Sequence, residues 1–184
     1  LESSRTAESW SERRERIAAF YGDLLERHAE GPQACDYRCR ETQQARFEIL
    51  CQVMPLRGRR VLDVGCGFAD FADYLMARHG PLTYEGVDVT PRMVELARRR
   101  HPALSLRVLD ILHEDPGGPY DLVTANGIFY LLGEDAEPHM QRLIARMYQL
   151  TSNAVAFTSL SAWARLKEPG EFYADPLATV EFCR

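Results

Sequence analysis

Three aspartates stand at the ends of short apolar runs in this sequence, and two glycines lie beside the first of them. Asp63, Asp88 and Asp110 are the acids, and Gly65 and Gly67 lie two and four residues after Asp63. Glycine lets a chain turn without a Cβ in the way, so backbone N–H groups can approach a ligand closely. A carboxylate accepts hydrogen bonds from ribose hydroxyls or an adenine amino group, and it attracts a nearby positive charge. The set predicts a site for a nucleoside that bears a cation.

The spacing of the glycines argues against a dinucleotide as the ligand. A dinucleotide fingerprint, G-x-G-x-x-G, would place a third glycine at position 70, where the chain has Asp70. That carboxylate at the start of a helix would repel a pyrophosphate. Asp88, 23 residues after Gly65, is placed to accept both hydroxyls of a ribose in either kind of nucleotide. Asp110 and the neighbouring Ile111 offer an acceptor for the adenine amino group and an aliphatic surface for its ring.

Elements that would position these residues begin after residue 55. Short apolar runs alternate with helical patterns there, which is typical of βα units that build a mostly parallel sheet. Strands are predicted at 60–64, 84–88, 104–109, 120–125 and 154–159. Helices are predicted over 68–78, from Pro91 onwards with Thr90 as N-cap, and over 135–150. The connection 111–119 is too short and too rich in Pro and Gly to form a full helix. Ligands of such sheets bind beyond the carboxyl ends of the strands, where the three aspartates would meet.

A helical segment precedes the sheet. Apolar residues recur with amphipathic spacing between Ser9 and His28, and Ser9 with Glu12 can form a capping box. Gly31 and Pro32 break this pattern, and a second helix is predicted over about 42–53.

Four ordered stretches together resemble the class I S-adenosylmethionine-dependent methyltransferases. They are VLDVGCGFADFADYL, YEGVDVTPRMVELARRR, LRVLDIL and YDLVTANGIFYLL, and the similarity covers about residues 61–159. The resemblance implies a Rossmann-like, doubly wound α/β fold with a mostly parallel sheet of core order 3-2-1-4-5. Residues 1–55 would form a helical cap or lid of the same domain, and 56–184 the cofactor-binding methyltransferase domain. Ala69, as the third small residue of the glycine loop, is a mild departure from the family pattern.

The resemblance also implies S-adenosylmethionine as cofactor, S-adenosylhomocysteine as product, and a role for each matching residue. The residues implied for the methionyl part are Asp63, Gly65, Cys66 and Gly67. The residues implied for the adenosine are Asp88 at the ribose, Val89 and Met93 at one adenine face, and Asp110 with Ile111 at its edge. Asn126 would lie near the transferable methyl group. Each residue keeps a structural alternative: strand-end acids can cap the next helix, and the glycines can form only a tight turn.

Methyl transfer from a sulfonium depends on positioning and desolvation, so a catalytic residue is not required. If the acceptor is a hydroxyl, a base helps, and His113 and His139 are the candidates near predicted strand or motif ends. Asn126 begins the stretch NGIF, in which an asparagine is followed three residues later by an aromatic residue. This weakly resembles the N-P-P-Y motif of amine-directed methyltransferases, but the prolines are absent.

Acceptor selectivity is expected from side chains around the sheet's carboxyl edge. The candidates for substrate contact or lid closure are Tyr21, Tyr37, Arg46 and Tyr130. Phe47 is predicted to belong to the core instead. The turn-rich loop 168–177 carries two aromatic residues that could rim the same pocket.

Composition narrows the cellular setting and the partners. A net charge of −5 argues against a polyanion, so nucleic acid is not the expected partner. Five cysteines fit neither a disulfide framework nor a zinc pattern, so we expect a reducing compartment and no metal site. No apolar window is long enough for a membrane span and the first residues do not read as a signal peptide, so we expect a cytoplasmic protein.

The preferred function is methyl transfer to a small molecule, and the alternatives belong to other classes. A methyltransferase acting on RNA or protein would show a basic stripe beside the pocket. A cofactor-binding module without turnover is suggested by the short segment after the fifth strand, where we expect the family's usual C-terminal hairpin to be truncated or absent. A homodimer could cover that sheet edge. A dinucleotide oxidoreductase is disfavoured by Asp70.

Overall fold

Five parallel strands form the centre of the protein in a computed structural model, which describes residues 8–184. The strands are β1 (Arg60–Val64), β2 (Thr83–Asp88), β3 (Ser105–Val108), β4 (Tyr120–Asn126) and β5 (Thr151–Thr158). Their spatial order is β3-β2-β1-β4-β5, and every pairing is parallel. The predicted sheet order is confirmed. Residues 1–7 of the predicted cap lie outside the described residues.

Six α-helices accompany the described strands. They are α1 (Trp10–His28), α2 (Arg40–Cys51), α3 (Asp70–His79), α4 (Pro91–Arg100), α5 (Ala136–Leu150) and α6 (Pro176–Phe182), and a 3₁₀ turn covers Pro32–Cys35. The capping box of α1 is present, because Ser9 and Glu12 each bond the other's backbone N–H. Within 111–119 the chain forms turns and no helix, as the sequence indicates.

Several predicted boundaries differ from the structure by one to three residues, and three of the displaced starts have identifiable physical reasons. α3 begins at Asp70 and not at residue 68, because Ala69 takes a left-handed conformation (φ 61°) that extends the glycine turn. α2 begins at Arg40 because Thr42 bonds back to the Cys39 backbone. β5 begins at Thr151, whose hydroxyl donates to backbone carbonyl oxygens at the start of β4.

Alternate residues of the central strands pack on opposite faces of the sheet. Leu62 and Val123 pack towards α5 with Met140 and Ile144. Val61 and Leu122 pack on the other face, with residues of α2, α3 and α4. Because both faces are covered by helices, the sheet is doubly wound and its ligand-binding edge is the carboxyl edge.

α1 and the 3₁₀ turn, which belong to the segment predicted to form a cap, pack over that carboxyl edge. A small apolar cluster joins Leu25 and Ala34 of the cap to Phe68 and Met93. From α1, Arg16 donates to the carbonyl oxygen of Leu131 (2.9 Å), in the connection between β4 and α5. Phe47 is buried in the core on the α2 face, as predicted. No helix among residues 8–184 is long and apolar enough to cross a membrane.

Candidate functional site

The turn after β1 requires both of its glycines. Gly65 and Gly67 have φ angles of +75° and +52°, which L side chains rarely adopt. A Cβ at Gly65 would collide with the side chain of Ile128, and one at Gly67 would lie 3.1 Å from the sulfur of Cys35. The backbone N–H of Gly65 donates to the carbonyl oxygen of Val87 (2.8 Å), which ties the turn to β2.

Asp88 joins this turn to the start of α4. Its Oδ2 accepts from the backbone N–H of Gly67 (3.0 Å), and its Oδ1 accepts from that of Thr90 (2.8 Å). Burial raises the pKa of Asp88, while these backbone donors oppose the rise. Each carboxylate oxygen keeps a lone pair for a further donor such as a ribose hydroxyl. The helix-capping alternative and the binding role are therefore compatible at Asp88.

Asp63 is a buried carboxyl group between two strands. Oδ2 accepts from the Tyr84 hydroxyl (2.6 Å) and Oδ1 from the Thr124 hydroxyl (3.1 Å). Burial raises the pKa of Asp63 to about 7, against these two hydrogen bonds, and the charge of Asp88 adds to the rise. A cation bound in front of it would stabilise the ionised form.

Asp110 has partners that lie far apart in the sequence. It accepts hydrogen bonds from the backbone N–H of Leu112 (3.0 Å), from His113 Nδ1 (2.6 Å) and from the indole N–H of Trp10. The Trp10 ring stacks on His139, with 4.4 Å between ring centroids. Burial, with Arg13 and Arg142 nearby, lowers the pKa of His139 to about 4.

These residues surround a cleft at the carboxyl edge of the sheet that encloses about 1140 Å³ of empty space, its open mouth included. All residues implied for the cofactor line it: Asp63, Gly65, Cys66, Gly67, Asp88, Val89, Met93, Asp110, Ile111 and Asn126. The lid candidates also line it: Tyr21, Tyr37, Arg46 and Tyr130. A cleft of this size holds a cofactor-sized molecule.

Two sequence interpretations place residues at the cleft that the structure puts elsewhere. His113 and His139 do not line the cleft, because both rings lie against Trp10, which separates them from it. The aromatic residues of loop 168–177 do not rim it either. Phe172 packs in the apolar core and Tyr173 lies beside Lys167.

Asn126 presents an unused donor at the end of β4. The hydroxyl of Thr158 accepts from the backbone N–H of Gly127 (3.1 Å), so its own proton goes to Asn126 Oδ1 (2.6 Å). This fixes the amide orientation and leaves Nδ2 buried without a hydrogen-bond partner. A buried donor without a partner costs about 1–3 kcal/mol, and a ligand oxygen would remove that cost.

The cap contributes a polar and aromatic wall. The Tyr21 and Tyr130 hydroxyls lie 3.2 Å apart, and burial raises the pKa of both. The Arg46 guanidinium lies over the Tyr37 ring, 5.3 Å from its centroid. Beyond Arg46 a second cleft of about 530 Å³ opens, lined by Arg46, Gly127, Phe129, Tyr130, Thr158, Ser159 and Leu160.

Sequence reasoning missed several lining residues, chiefly Trp10, Cys35, Asp36, Gln43 and Ile128. Gln43 is buried and donates to Asp70 Oδ2 (2.9 Å), which anchors α2 to the start of α3. A glutamine on the buried face of a predicted amphipathic helix was a usable signal for this contact. Trp10 offered no local signal.

Comparison with known proteins agrees with this architecture. The model of a family described as methyltransferase domain matches residues 62–154. Trans-aconitate 2-methyltransferase of Methylobacterium nodulans is 32% identical over 100 residues, which cover 54% of this chain and 37% of that protein. Cyclopropane-fatty-acyl-phospholipid synthase of Escherichia coli is 30% identical over 92 residues, covering 50% and 24%. The chain therefore spans well under half the length of these relatives.

Solved structures share the fold at lower identity. Magnesium protoporphyrin IX methyltransferase from Synechocystis, with bound S-adenosylmethionine, superimposes with a TM-score of 0.69 at 16% identity, covering 97% of this chain and 86% of that one. Phosphoethanolamine N-methyltransferase 1 of Haemonchus contortus has a TM-score of 0.69 at 15% identity, covering 95% and 40%.

Proposed function

Because this chain belongs to the methyltransferase-domain family, we propose that it binds S-adenosylmethionine in the cleft and transfers its methyl group to a small-molecule acceptor. The observation that supports this most directly is the meeting of Asp63, Asp88 and Asp110 with the glycine turn around one cleft. The relatives and structural neighbours named above act on small molecules or lipids according to their names, which agrees with this proposal.

The cleft fits the cofactor in size, charge and donor set. Among its described lining residues, Asp36, Asp63, Asp70, Asp88 and Asp110 are acidic and Arg46 is the one basic residue. This balance favours a cation such as a sulfonium and disfavours a polyphosphate or a nucleic acid backbone. The close backbone of Gly65 and Gly67 leaves room that a Cβ would fill.

The proposed roles follow the positions of the side chains. Asp88 would hold the ribose hydroxyls while it keeps the Gly67 and Thr90 amides in place. Asp110 and Ile111 would contact the adenine edge, and Met93 one of its faces. Asp63, Gly65, Cys66 and Gly67 would surround the methionyl part.

When bound, the cofactor would supply an electrophilic methyl group for transfer to the acceptor. The residues of this chain position the acceptor and exclude water from it. Tyr21 of α1 and Tyr130 after β4 close the cap over the carboxyl edge through their hydroxyl contact. The pKa of Asp63 is raised by burial to about 7, so Asp63 can become fully charged when a cation is bound beside it.

Calorimetric titration tests the cofactor assignment. S-adenosylhomocysteine is expected to bind the wild type with micromolar or lower Kd, and NAD is expected not to bind. Asp88→Ala is expected to weaken S-adenosylhomocysteine binding by about a hundredfold, because it removes a charged acceptor and loosens the turn. Asp115→Ala, which removes an exposed carboxylate outside the cleft lining, is the matched control. Tight NAD binding, or an unchanged Kd in Asp88→Ala, would refute the proposal.

The setting that we propose is the cytoplasm, supported by the absence of a disulfide pattern among the five cysteines. The division into a cap (residues 1–55) and a cofactor-binding part (56–184) is likewise our proposal. It is supported by the packing of α1 on the carboxyl edge of the sheet.

A further inference from the structure

Arg46 carries a positive charge at the boundary between two clefts. It lines the large cleft and the smaller second one, and no other basic residue among those described lines either. Its described contact is with the ring of Tyr37, and it forms no ion pair within residues 8–184. Arg16, Arg59, Arg60 and Arg100 are each paired with a carboxylate. Arg46 is thus a half-buried cation that faces a ligand space without a counter-ion.

A second donor without a partner belongs to Asn126, the residue before the glycine that Arg46 approaches. The Thr158 hydroxyl donates to the amide oxygen of Asn126 and so fixes the orientation of the amide group. In this orientation Asn126 Nδ2 is buried and makes no hydrogen bond. A Cβ built at the adjacent Gly127 would lie 3.6 Å from Arg46 Nη1. The guanidinium and the free amide N–H₂ therefore flank the same glycine at the end of β4.

The two clefts differ in the charge of their lining residues, so they favour ligands of different charge. The large cleft has five lining aspartates, so it repels an anion. The second cleft has no acidic residue in its described lining, and Arg46 is its charged residue. An anionic group is consequently favoured on the Gly127 side of Arg46 and disfavoured on the aspartate side.

The chemistry available in the clefts points to the same kind of acceptor. No histidine or lysine of residues 8–184 lines either cleft. Burial raises the pKa of Tyr21, Tyr37 and Tyr130, which therefore keep their protons at neutral pH. The bases that remain are the lining aspartates, and the one whose pKa is raised to about 7, Asp63, already accepts hydrogen bonds from Tyr84 and Thr124. An acceptor that must lose a proton depends on such a carboxylate, whereas an oxyanion needs no base.

We infer that the acceptor is a small carboxylate, bound by the Arg46 guanidinium and the Asn126 amide at the junction of the two clefts. This inference rests on the proposed methyltransferase function. In the transfer step a carboxylate oxygen forms a bond to the methyl carbon while the carbon–sulfur bond breaks, and the electron pair goes to sulfur. The products are a neutral methyl ester and a neutral thioether, and no proton is transferred.

Binding of carboxylates measures the inference directly. Benzoate, octanoate and propane-1,2,3-tricarboxylate are titrated against the full chain by calorimetry, with and without saturating S-adenosylhomocysteine, and benzamide and octanamide serve as uncharged counterparts. At least one carboxylate is expected to bind at least tenfold more tightly than the amides. Arg46→Met is expected to weaken that binding tenfold or more, and Arg46→Lys to restore part of it, because lysine keeps the charge but not the planar fork.

Arg40→Met is the matched control. Arg40 lies on the same helix, is exposed and lines neither cleft, so its loss changes net charge equally and is expected to leave carboxylate affinity within twofold. Equal binding of carboxylates and amides, absence of carboxylate binding, or an equal effect of both substitutions would overturn the inference.

The rival role for Arg46 is recognition of the cofactor's own carboxylate, and a second titration separates the two. S-adenosylhomocysteine has that carboxylate, whereas 5′-methylthioadenosine lacks it. We expect Arg46→Met to change the Kd of both by less than threefold. A tenfold loss confined to S-adenosylhomocysteine would overturn the acceptor assignment. If the wild type does not bind S-adenosylhomocysteine, the proposed function fails, while the titrations without it still decide whether Arg46 binds carboxylates.

Discussion

The indole N–H of Trp10 donates a hydrogen bond to the carboxylate of Asp110. This bond joins the first residue of α1 to the strand end at which we propose that the adenine edge binds. The Trp10 ring also stacks on His139 of α5. The cap and the proposed cofactor site therefore share one carboxylate, and a change in one is expected to be measurable in the other.

Replacement of Trp10 by phenylalanine keeps an aromatic ring but removes the N–H donor. We expect Trp10→Phe to bind S-adenosylhomocysteine about two- to tenfold more tightly, because Asp110 Oδ2 then accepts from His113 alone and the adenine amino group no longer competes with the indole N–H for it. Calorimetry measures the Kd. Trp163→Phe, at the other tryptophan, which is exposed, is the control. Weaker binding in Trp10→Phe would show that the indole donor supports the bound state.

Alanine at Gly65 is expected to destabilise the protein more than alanine at Gly58. Both glycines have φ +75°, so both substitutions impose the same backbone strain of about 1 kcal/mol. The new Cβ collides with Ile128 only at Gly65, whereas nothing lies within 4 Å at Gly58. Urea unfolding should therefore give a free energy of unfolding about 1–3 kcal/mol lower for Gly65→Ala than for Gly58→Ala. Equal losses would mean that the turn relaxes away from Ile128.

The raised pKa of Asp63 predicts a loss of stability as pH rises. The unfolded chain releases this proton near pH 4 and the folded protein near pH 7, so the folded state binds more protons between these values. The free energy of unfolding should fall across pH 4–7 by about 2–4 kcal/mol from this group alone. Asp63→Asn should remove that part of the slope and be more stable than the wild type at pH 8. An unchanged slope in Asp63→Asn, measured by urea unfolding, would contradict the assignment.

His139 predicts the opposite slope at the acidic end. Burial lowers its pKa to about 4, so the unfolded chain takes up a proton below about pH 6.5 while the folded protein does so only near pH 4. Stability from this group is present above pH 6.5 and is lost as pH falls towards 4, by about 1–2 kcal/mol. His139→Phe, which preserves a ring for Trp10 to stack on, should flatten this acid limb. Thermal melting temperatures of the variant and the wild type between pH 4 and 7 measure the difference. An equal loss of stability towards pH 4 in both proteins would contradict the role of His139.

Much of the fold was predictable because its signals are local. Asp88 and Gly65 are marked by residue type and spacing within a few residues, and the capping box of α1 needs only Ser9 and Glu12. Strand order followed from the family resemblance. The start of β5 was missed because its first residues are polar, and its extension depends on bonds from Thr151 to a distant strand.

The residues that were misplaced or missed depend on how the cap docks. Trp10 and Asp110 are 100 positions apart, so no local pattern connects them. His113 follows a predicted strand and His139 lies within a predicted helix, but the Trp10 ring lies between both of them and the cleft. Sequence spacing predicts that a side chain is near a strand end, and only tertiary packing decides which cavity it reaches.

The backbone N–H of Phe172 donates to the carbonyl oxygen of Tyr130 (2.8 Å), so the segment after β5 supports the wall of the second cleft from behind. Insertions or deletions between residues 160 and 172 would thus shift Tyr130 while leaving the glycine turn untouched. A lineage could in this way change which molecules are modified without rebuilding the nucleoside pocket.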